Sequence, residues 1–195
     1  MSGHVESPAD TMRRMVLGYQ TSCLLYVAAE LALADHLADG PRGSDELAGL
    51  TATDADALRR LLRALVPLGV LQPLGDGRFA LTPLGECLRS DLPGSQRALG
   101  RLFGHDAFWR AWGGLLHSVR TGETAFDHAH GHGFFAHLAA EPDYVPRFNT
   151  GMAGSSPAVM ADLVAAYDFG RFHRLVDMGG GQGILLAAIL RRTPA

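Results

Sequence analysis

Phe172-His173-Arg174-Leu175-Val176-Asp177-Met178-Gly179-Gly180-Gly181-Gln182-Gly183 is the stretch that decides the fold class. Phe172 to Met178 reads as a buried strand, Gly179 to Gly183 as a glycine turn, and Ile184 to Leu190 as a helix. Strand, glycine turn and helix in that order open a doubly wound parallel α/β sheet. Glycine takes positive φ and lets the backbone pass close to a ligand. A helix starting directly after such a turn presents unpaired N–H groups. Spacing narrows what can sit there. A dinucleotide fingerprint needs a third glycine three residues after the second. Counted from Gly179 and Gly181, that place holds Ile184; counted from Gly181 and Gly183, it holds Leu186. No Lys-Ser or Lys-Thr follows, which excludes a P-loop.

Upstream of this unit the patterning is helical. From about Asp10 to His36, Met12, Met15, Val16, Tyr19, Cys23, Leu24, Val27, Leu31 and Leu33 recur at helical spacing, as one long helix or a kinked pair. Around Leu24 to Leu33 the apolar face broadens until only Glu30 interrupts it. A helix apolar nearly all round needs cover on more than one side, and a second copy of the chain is expected to supply it. After Gly40-Pro41, Ser44 is expected to cap a short helix to Leu50, and Thr53 or Asp54 a second from Ala55 to Leu68, stopped by Gly69. Val70 to Leu74 and Arg78 to Leu81 flank Gly75-Asp76-Gly77 as a hairpin. Helix, turn, helix and hairpin make a winged helix. Thr82-Pro83 starts another helix to about Arg89. Gly94 to Val119 is helical, with Phe103, Phe108, Trp109, Trp112, Leu115, Leu116 and Val119 as a core-facing stripe. Phe126, His128, His130 and His132 are expected in a loop, followed by helices at Phe134–Ala140, Tyr144–Met152 and Pro157–Tyr167.

Totals set the outer limits. With 195 residues, 47% hydrophobic and 19% charged, the chain has the composition of an ordinary globular protein. A net charge of -3 gives no electrostatic reason to expect nucleic acid or an anionic membrane as partner. The winged helix invites a DNA-binding reading. Against it, Asp54 and Asp56 stand at the leading end of the second helix, where phosphates would lie. Cys23 and Cys87 are too few for a disulfide framework. Cys23 reads as a small core hydrophobe, and reduced thiols in a cytoplasmic setting are expected. The polar start from Met1 to Pro8 carries no secretory signal, and no apolar run of ~18 residues predicts a membrane span. Alternating histidines would share a face on a strand, but Gly131 and Gly133 argue for a loop, so neutral histidines lining a polar pocket are preferred to a metal site.

Leu175 to Gly183, with its Asp-x-Gly-Gly-Gly-x-Gly pattern, resembles the first motif of class I S-adenosylmethionine-dependent methyltransferases, in the variant of plant-type and actinobacterial small-molecule O-methyltransferases. The likeness extends over nearly the whole chain. Gly18-Tyr19 through Leu31 resembles the family's dimerisation helix. Asp56 to Leu65 and Phe79 to Gly85 resemble its winged-helix section. Trp112-Gly113, Val119 to Gly122, Phe126 and His130-Gly131 resemble the segment walling the substrate cavity. Phe148 and Met152 resemble a Phe-x-x-x-Met helix beside the donor's reactive end. The resemblance implies a homodimer in which Gly179, Gly180, Gly181, Gly183, Asp177, Met152 and Phe148 bind S-adenosylmethionine, while Trp112, Phe126 and His130 contact a small, aromatic or polyketide secondary metabolite. No metal, nucleic acid or membrane is implied.

Three segments follow from this: a mainly α, winged-helix-like dimerisation domain at 10–100, a helical substrate-cavity segment at 101–170, and the start of a Rossmann-like domain at 171–195. A βαβ unit needs ~30 residues, and twelve follow Gly183. The second strand, with its ribose-binding acid, and the family's catalytic histidine are therefore expected beyond residue 195, and the chain alone is expected to turn over little. Other classes remain open: a non-catalytic dimerisation or interaction protein, or a relative with altered chemistry such as hydroxylation or decarboxylation.

Overall fold

A computed structural model describes residues 7–142, 144–153 and 157–193; the polar start at 1–6 lies outside the described residues. The first part is built from α1 (Pro8–Val16), α2 (Gly18–Glu30) and α3 (Leu33–His36). The anticipated long helix or kinked pair is thus three pieces, broken at Leu17 and at Ala32, whose φ of 51° starts α3. A two-residue strand β1 (Arg42–Gly43) leads into α4 (Ser44–Thr51) and α5 (Ala55–Leu65). Gly43, not Ser44, occupies the N-cap of α4 and makes no side-chain cap. Asp54 caps α5 by accepting from the Ala57 N–H at 2.7 Å. Leu58, Leu62 and Leu65 recur at helical spacing on its inner face and are all buried.

Helix α5 ends at Leu65, earlier than the expected Leu68, and Gly69, at φ +72° and four residues on, turns the chain toward the hairpin. Strands β2 (Leu71–Pro73) and β3 (Arg78–Leu81) pair antiparallel with Leu71 opposite Leu81 and Pro73 opposite Phe79. β1 adds to the other edge, Arg42 opposite Phe79, giving the sheet order β1-β3-β2. In the hairpin, Gly77 takes φ +82° and the Asp76 carboxylate accepts from the Arg78 N–H at 3.1 Å. The winged helix is therefore present, and its hydrophobic side joins α2 and α3 in one core around Leu47, Leu62 and Leu65. Cys23 is exposed rather than in that core, because α2 buries only Ala28 and Ala29 fully.

Helix α6 (Pro83–Glu86) is capped by Thr82 and is shorter than expected. The segment anticipated as helical from Gly94 divides into α7 (Arg97–Phe103), α8 (Asp106–Gly113) and α9 (Leu115–Thr121). The expected core stripe is only partly internal: Phe108 packs into the second core, whereas Leu116 and Val119 are exposed. Gly114 separates α8 from α9, and no residue of α9 is buried. α10 (Ala125–His130) replaces the expected loop at Phe126, His128 and His130, while His132 stays between helices as expected. Thr124 caps it through the Asp127 N–H, and Gly131 ends it at φ +76°. The remaining elements are α11 (Phe134–Ala140), α12 (Tyr144–Ala153), α13 (Pro157–Ala166), a 3₁₀ turn at Phe169–Arg171 and α14 (Ile184–Arg192).

Residues 172–178 do not form the expected buried strand; they run without a ladder partner, and Val176 and Met178 are exposed. A strand exists only through pairing with neighbours, and among the described residues none lies beside this segment. Mainly helical architecture with a three-stranded sheet, followed by the turn-helix start of a Rossmann-like unit, is the fold. Among the described residues no helix is long and apolar enough to cross a membrane.

Candidate functional site

The glycine turn has the backbone that its composition demands. Gly179, Gly181 and Gly183 lie at φ +74°, +55° and +69°, a region closed to most side chains. Gly183 is the N-cap residue of α14, and its N–H donates to the Gly180 carbonyl at 2.8 Å. Gly180 is required for space: a Cβ there would stand 1.9 Å from Asp177 Oδ2. The carboxylate of Asp177 is thus folded over the turn.

A cavity of about 320 Å³ opens beside this turn. Asp177, Gly179, Gly180 and Gly181 line one side; Phe148 and Met152, one helical turn apart on α12, line the other, with Met160 and Ile184 closing the apolar floor. Six of the seven residues anticipated for the cofactor are therefore gathered in one place. Gly183 is the exception and acts one step away, as the cap of α14. Asp177 is the one charged side chain among the described residues lining the cavity. Asn149 and Gln182, which the sequence pattern did not single out, also line it.

Phe126 and His130 belong to a second, aromatic cluster. Their rings are 4.4 Å apart, and His130 Nε2 lies 3.0 Å from the Ala107 carbonyl. Phe134 joins the two regions, 5.2 Å from Phe126 and 5.1 Å from Phe148. An aromatic path thus runs from the glycine-turn cavity through Phe148, Phe134 and Phe126 to His130. Edge and tilted contacts of this kind give each ring a defined orientation. Buried His137 sits 4.9 Å from His130, and Tyr144 is pushed up to about 12 by desolvation. The His137 Nε2 and Tyr144 hydroxyl atoms are buried without a hydrogen-bond partner; Glu141 Oε1 approaches His137 Nε2 only to 3.5 Å.

Trp112 stands apart from Phe126 and His130. It lines a separate apolar groove of about 710 Å³ with Tyr19, Leu25, Phe103 and Trp109. The histidines also separate. Because α10 is a helix, residues two apart point to different faces. His128 stacks on His117 at 3.8 Å while His130 faces Phe126. Among the described residues no three His, Cys, Asp or Glu side chains are grouped to hold a metal ion.

Comparison with known proteins gives these arrangements a context. A model of the O-methyltransferase dimerisation domain matches residues 14–91, and a model of the O-methyltransferase domain matches residues 112–195. The phenazine O-methyltransferase PhzM of Lysobacter antibioticus is 42% identical over 181 residues, which are 93% of this chain and 53% of that protein. The crystal structure of LaPhzM matches with a TM-score of 0.90 and 40% identity, over 97% of this chain and 57% of that one. An O-methyltransferase from neocarzinostatin biosynthesis, crystallised with S-adenosylmethionine and 2-hydroxy-5-methyl naphthoic acid, matches with a TM-score of 0.76 and 33% identity, over 97% of this chain and 57% of that one. The chain spans about half the length of the curated relatives it matches. It belongs to the O-methyltransferase family, whose dimerisation and methyltransferase domain models it matches in succession.

Proposed function

We propose that this chain supplies the dimerisation domain, much of the acceptor-side wall and one flank of the donor pocket of an S-adenosylmethionine-dependent O-methyltransferase acting on a small aromatic secondary metabolite. The observation that carries this reading is the cavity beside the glycine turn, where a single carboxylate, Asp177, faces apolar Phe148 and Met152 across bare backbone. A pyrophosphate or triphosphate site calls for cations or several converging N–H donors. A lone carboxylate against apolar walls suits a cationic ligand with a hydrophobic body instead. When bound, S-adenosylmethionine supplies a methyl group already activated by its sulfonium.

The chain's own residues then bind and orient. Asp177 offers its carboxylate to the donor's amino group, and Gly179, Gly180 and Gly181 let main chain approach the methionine and ribose portions. Gly183 fixes the start of α14 behind them. Phe148 and Met152 exclude water from the donor's reactive end, where removing solvent favours an in-line approach of acceptor and methyl. Phe126 and His130, reached from Phe148 through Phe134, form the wall for a flat acceptor, whereas Trp112 lines the separate groove between α2, α7 and α8. The acceptor hydroxyl loses its proton to a base that the family resemblance assigns to no residue of this chain. The dimerisation domain points to a homodimer.

Calorimetric titration of the chain with S-adenosylhomocysteine tests the donor reading, with NAD and ATP as comparison ligands. Binding of the first alone is expected, and Asp177→Asn should weaken it about tenfold or more, the order of a charged hydrogen bond. No heat with S-adenosylhomocysteine, or equal affinity for NAD, overturns the proposal.

A further inference from the structure

Glu30 closes α2 at its C-terminus, where a carboxylate meets the negative end of the helix dipole and is unfavourable in isolation. Two guanidinium groups offset this. Arg101 of α7 donates from Nε to Oε2 at 3.0 Å and from Nη2 to Oε1 at 3.2 Å. Arg147 of α12 donates from Nη1 to Oε2 at 3.1 Å and from Nη2 to Oε1 at 3.2 Å. Each carboxylate oxygen therefore accepts from both arginines. Glu30, Arg101 and Arg147 are 35%, 32% and 22% exposed at their side chains, so solvent screens them only in part. Paired forks on one carboxylate fix angle as well as distance.

Backbone contacts reinforce the same three helices. Gly104, which ends α7, lies against Tyr26 of α2, and a Cβ there would come within 2.2 Å of the Tyr26 ring. Gly151 of α12 lies against Leu102 of α7 in the same way, at 2.7 Å. Arg97 donates to the Ala29 carbonyl at 2.9 Å and holds the end of α2 a second time. Helices α2, α7 and α12 are consequently locked at short range. Arg147 immediately precedes Phe148, and Met152 follows Phe148 by one turn; Phe148 and Met152 line the glycine-turn cavity.

We infer that Glu30 is a positioning residue for the donor pocket: through Arg147 it sets the rotation of α12 and so the placement of Phe148 and Met152. This inference rests on reading that cavity as the S-adenosylmethionine site. It also gives the dimerisation domain a direct mechanical link to the pocket, because α2 lies within the segment that the dimerisation model matches.

The test uses Glu30→Gln, Arg147→Met, the double variant and Arg147→Lys in the full chain. Two measurements are made: calorimetry with S-adenosylhomocysteine, and hydrogen exchange over residues 144–153 without ligand. Each of the first two variants should weaken binding about three- to thirtyfold. The double variant should lose no more than the larger single loss, since both changes break one interaction. Arg147→Lys, which keeps the charge without the fork, should recover part of the affinity. Exchange over 144–153 should quicken in Glu30→Gln while α4 and α5 keep their protection. Unchanged affinity, or additive losses, overturns the inference. If the unaltered chain binds no S-adenosylhomocysteine, the donor reading fails by itself, and exchange then decides the positioning role: unaltered protection over 144–153 rejects it, faster exchange supports it. Should Glu30→Gln fail to fold, Arg147→Met carries both measurements, because it leaves Glu30 paired with Arg101.

Discussion

Gly151 and Gly49 both stand inside helices, and the same added methyl group should act on them in opposite directions. At Gly49 of α4 a Cβ meets nothing within 4 Å, so Gly49→Ala should stabilise by about 0.5–1 kcal/mol through reduced backbone entropy of the unfolded chain. At Gly151 a Cβ would fall 2.7 Å and 2.9 Å from two atoms of Leu102, a side chain with no exposure and nowhere to move. Overpacking of that kind costs about 1–3 kcal/mol, more than the helix gains. Gly151→Ala should therefore lower the urea midpoint, and, with Met152 next to it, weaken S-adenosylhomocysteine binding as well. An unchanged midpoint would show that α12 can move off α7 freely. Residue roles that depend on distant partners of this kind are hidden in a sequence. The arginines holding Glu30 lie 71 and 117 positions away, and the space forbidden at Gly151 belongs to Leu102. Asp54 and Thr82 were legible because a cap needs only the next three residues.

Elements follow the same division between local and distant causes. The helix-turn-helix and hairpin were readable because caps, glycine stops and apolar spacing all act within a few residues. β1 escaped notice because two residues carry no period; it exists only by pairing with β3. The segment 172–178 was readable as an apolar run but has no ladder partner, so its pattern is real and its strand is not. Of the two glycines that suggested a loop, Gly131 is the C-cap of α10 and Gly133 the N-cap of α11, and helical geometry then sends His128 and His130 to different neighbours. The start of α8 offers a measurable consequence. His105 caps it, its ring nitrogen facing the Ala107 N–H at 3.4 Å, and its ring packs 4.5 Å from Tyr144. Burial, with the nearby Arg147 charge, holds the His105 pKa below its ordinary 6.5. Between that lowered value and 6.5 the unfolded chain binds more protons than the folded one, so stability falls as pH drops through about 6.5 and levels off below the folded-state pKa. His105→Asn keeps a capping side chain without titrating. Urea melts of this variant between pH 7.5 and 5.5 should show a smaller loss than the unaltered chain; equal slopes would remove His105 from the acid response.

At the scale of the whole molecule, the unexplained surface is that of α1. No residue of this helix is buried, yet Met12, Met15 and Val16, with Tyr19 at the start of α2, fall at helical spacing on one side and are each more than half exposed. An apolar stripe without a core beneath it is an association surface in waiting. The dimerisation-domain match begins at residue 14 and so covers part of this stripe. The neighbouring groove, with Tyr19, Phe103, Trp109 and Trp112 along it, is rich in the aromatic side chains that dominate interface energetics. A second copy of the chain is the occupant that both features favour. In a two-fold dimer each substitution is felt twice, once from each side. Met15→Glu places a charge on the stripe and touches no buried residue, so the fold should survive while association weakens. A loss of about 2 kcal/mol, of the order of an interface hot spot, corresponds to roughly thirtyfold in Kd. Sedimentation equilibrium should find the unaltered chain dimeric at micromolar concentration and Met15→Glu largely monomeric, with matching circular dichroism spectra. A monomeric unaltered chain would remove the second copy as the occupant. A Met15→Glu dimer of undiminished affinity would move the interface off α1 and onto the groove alone.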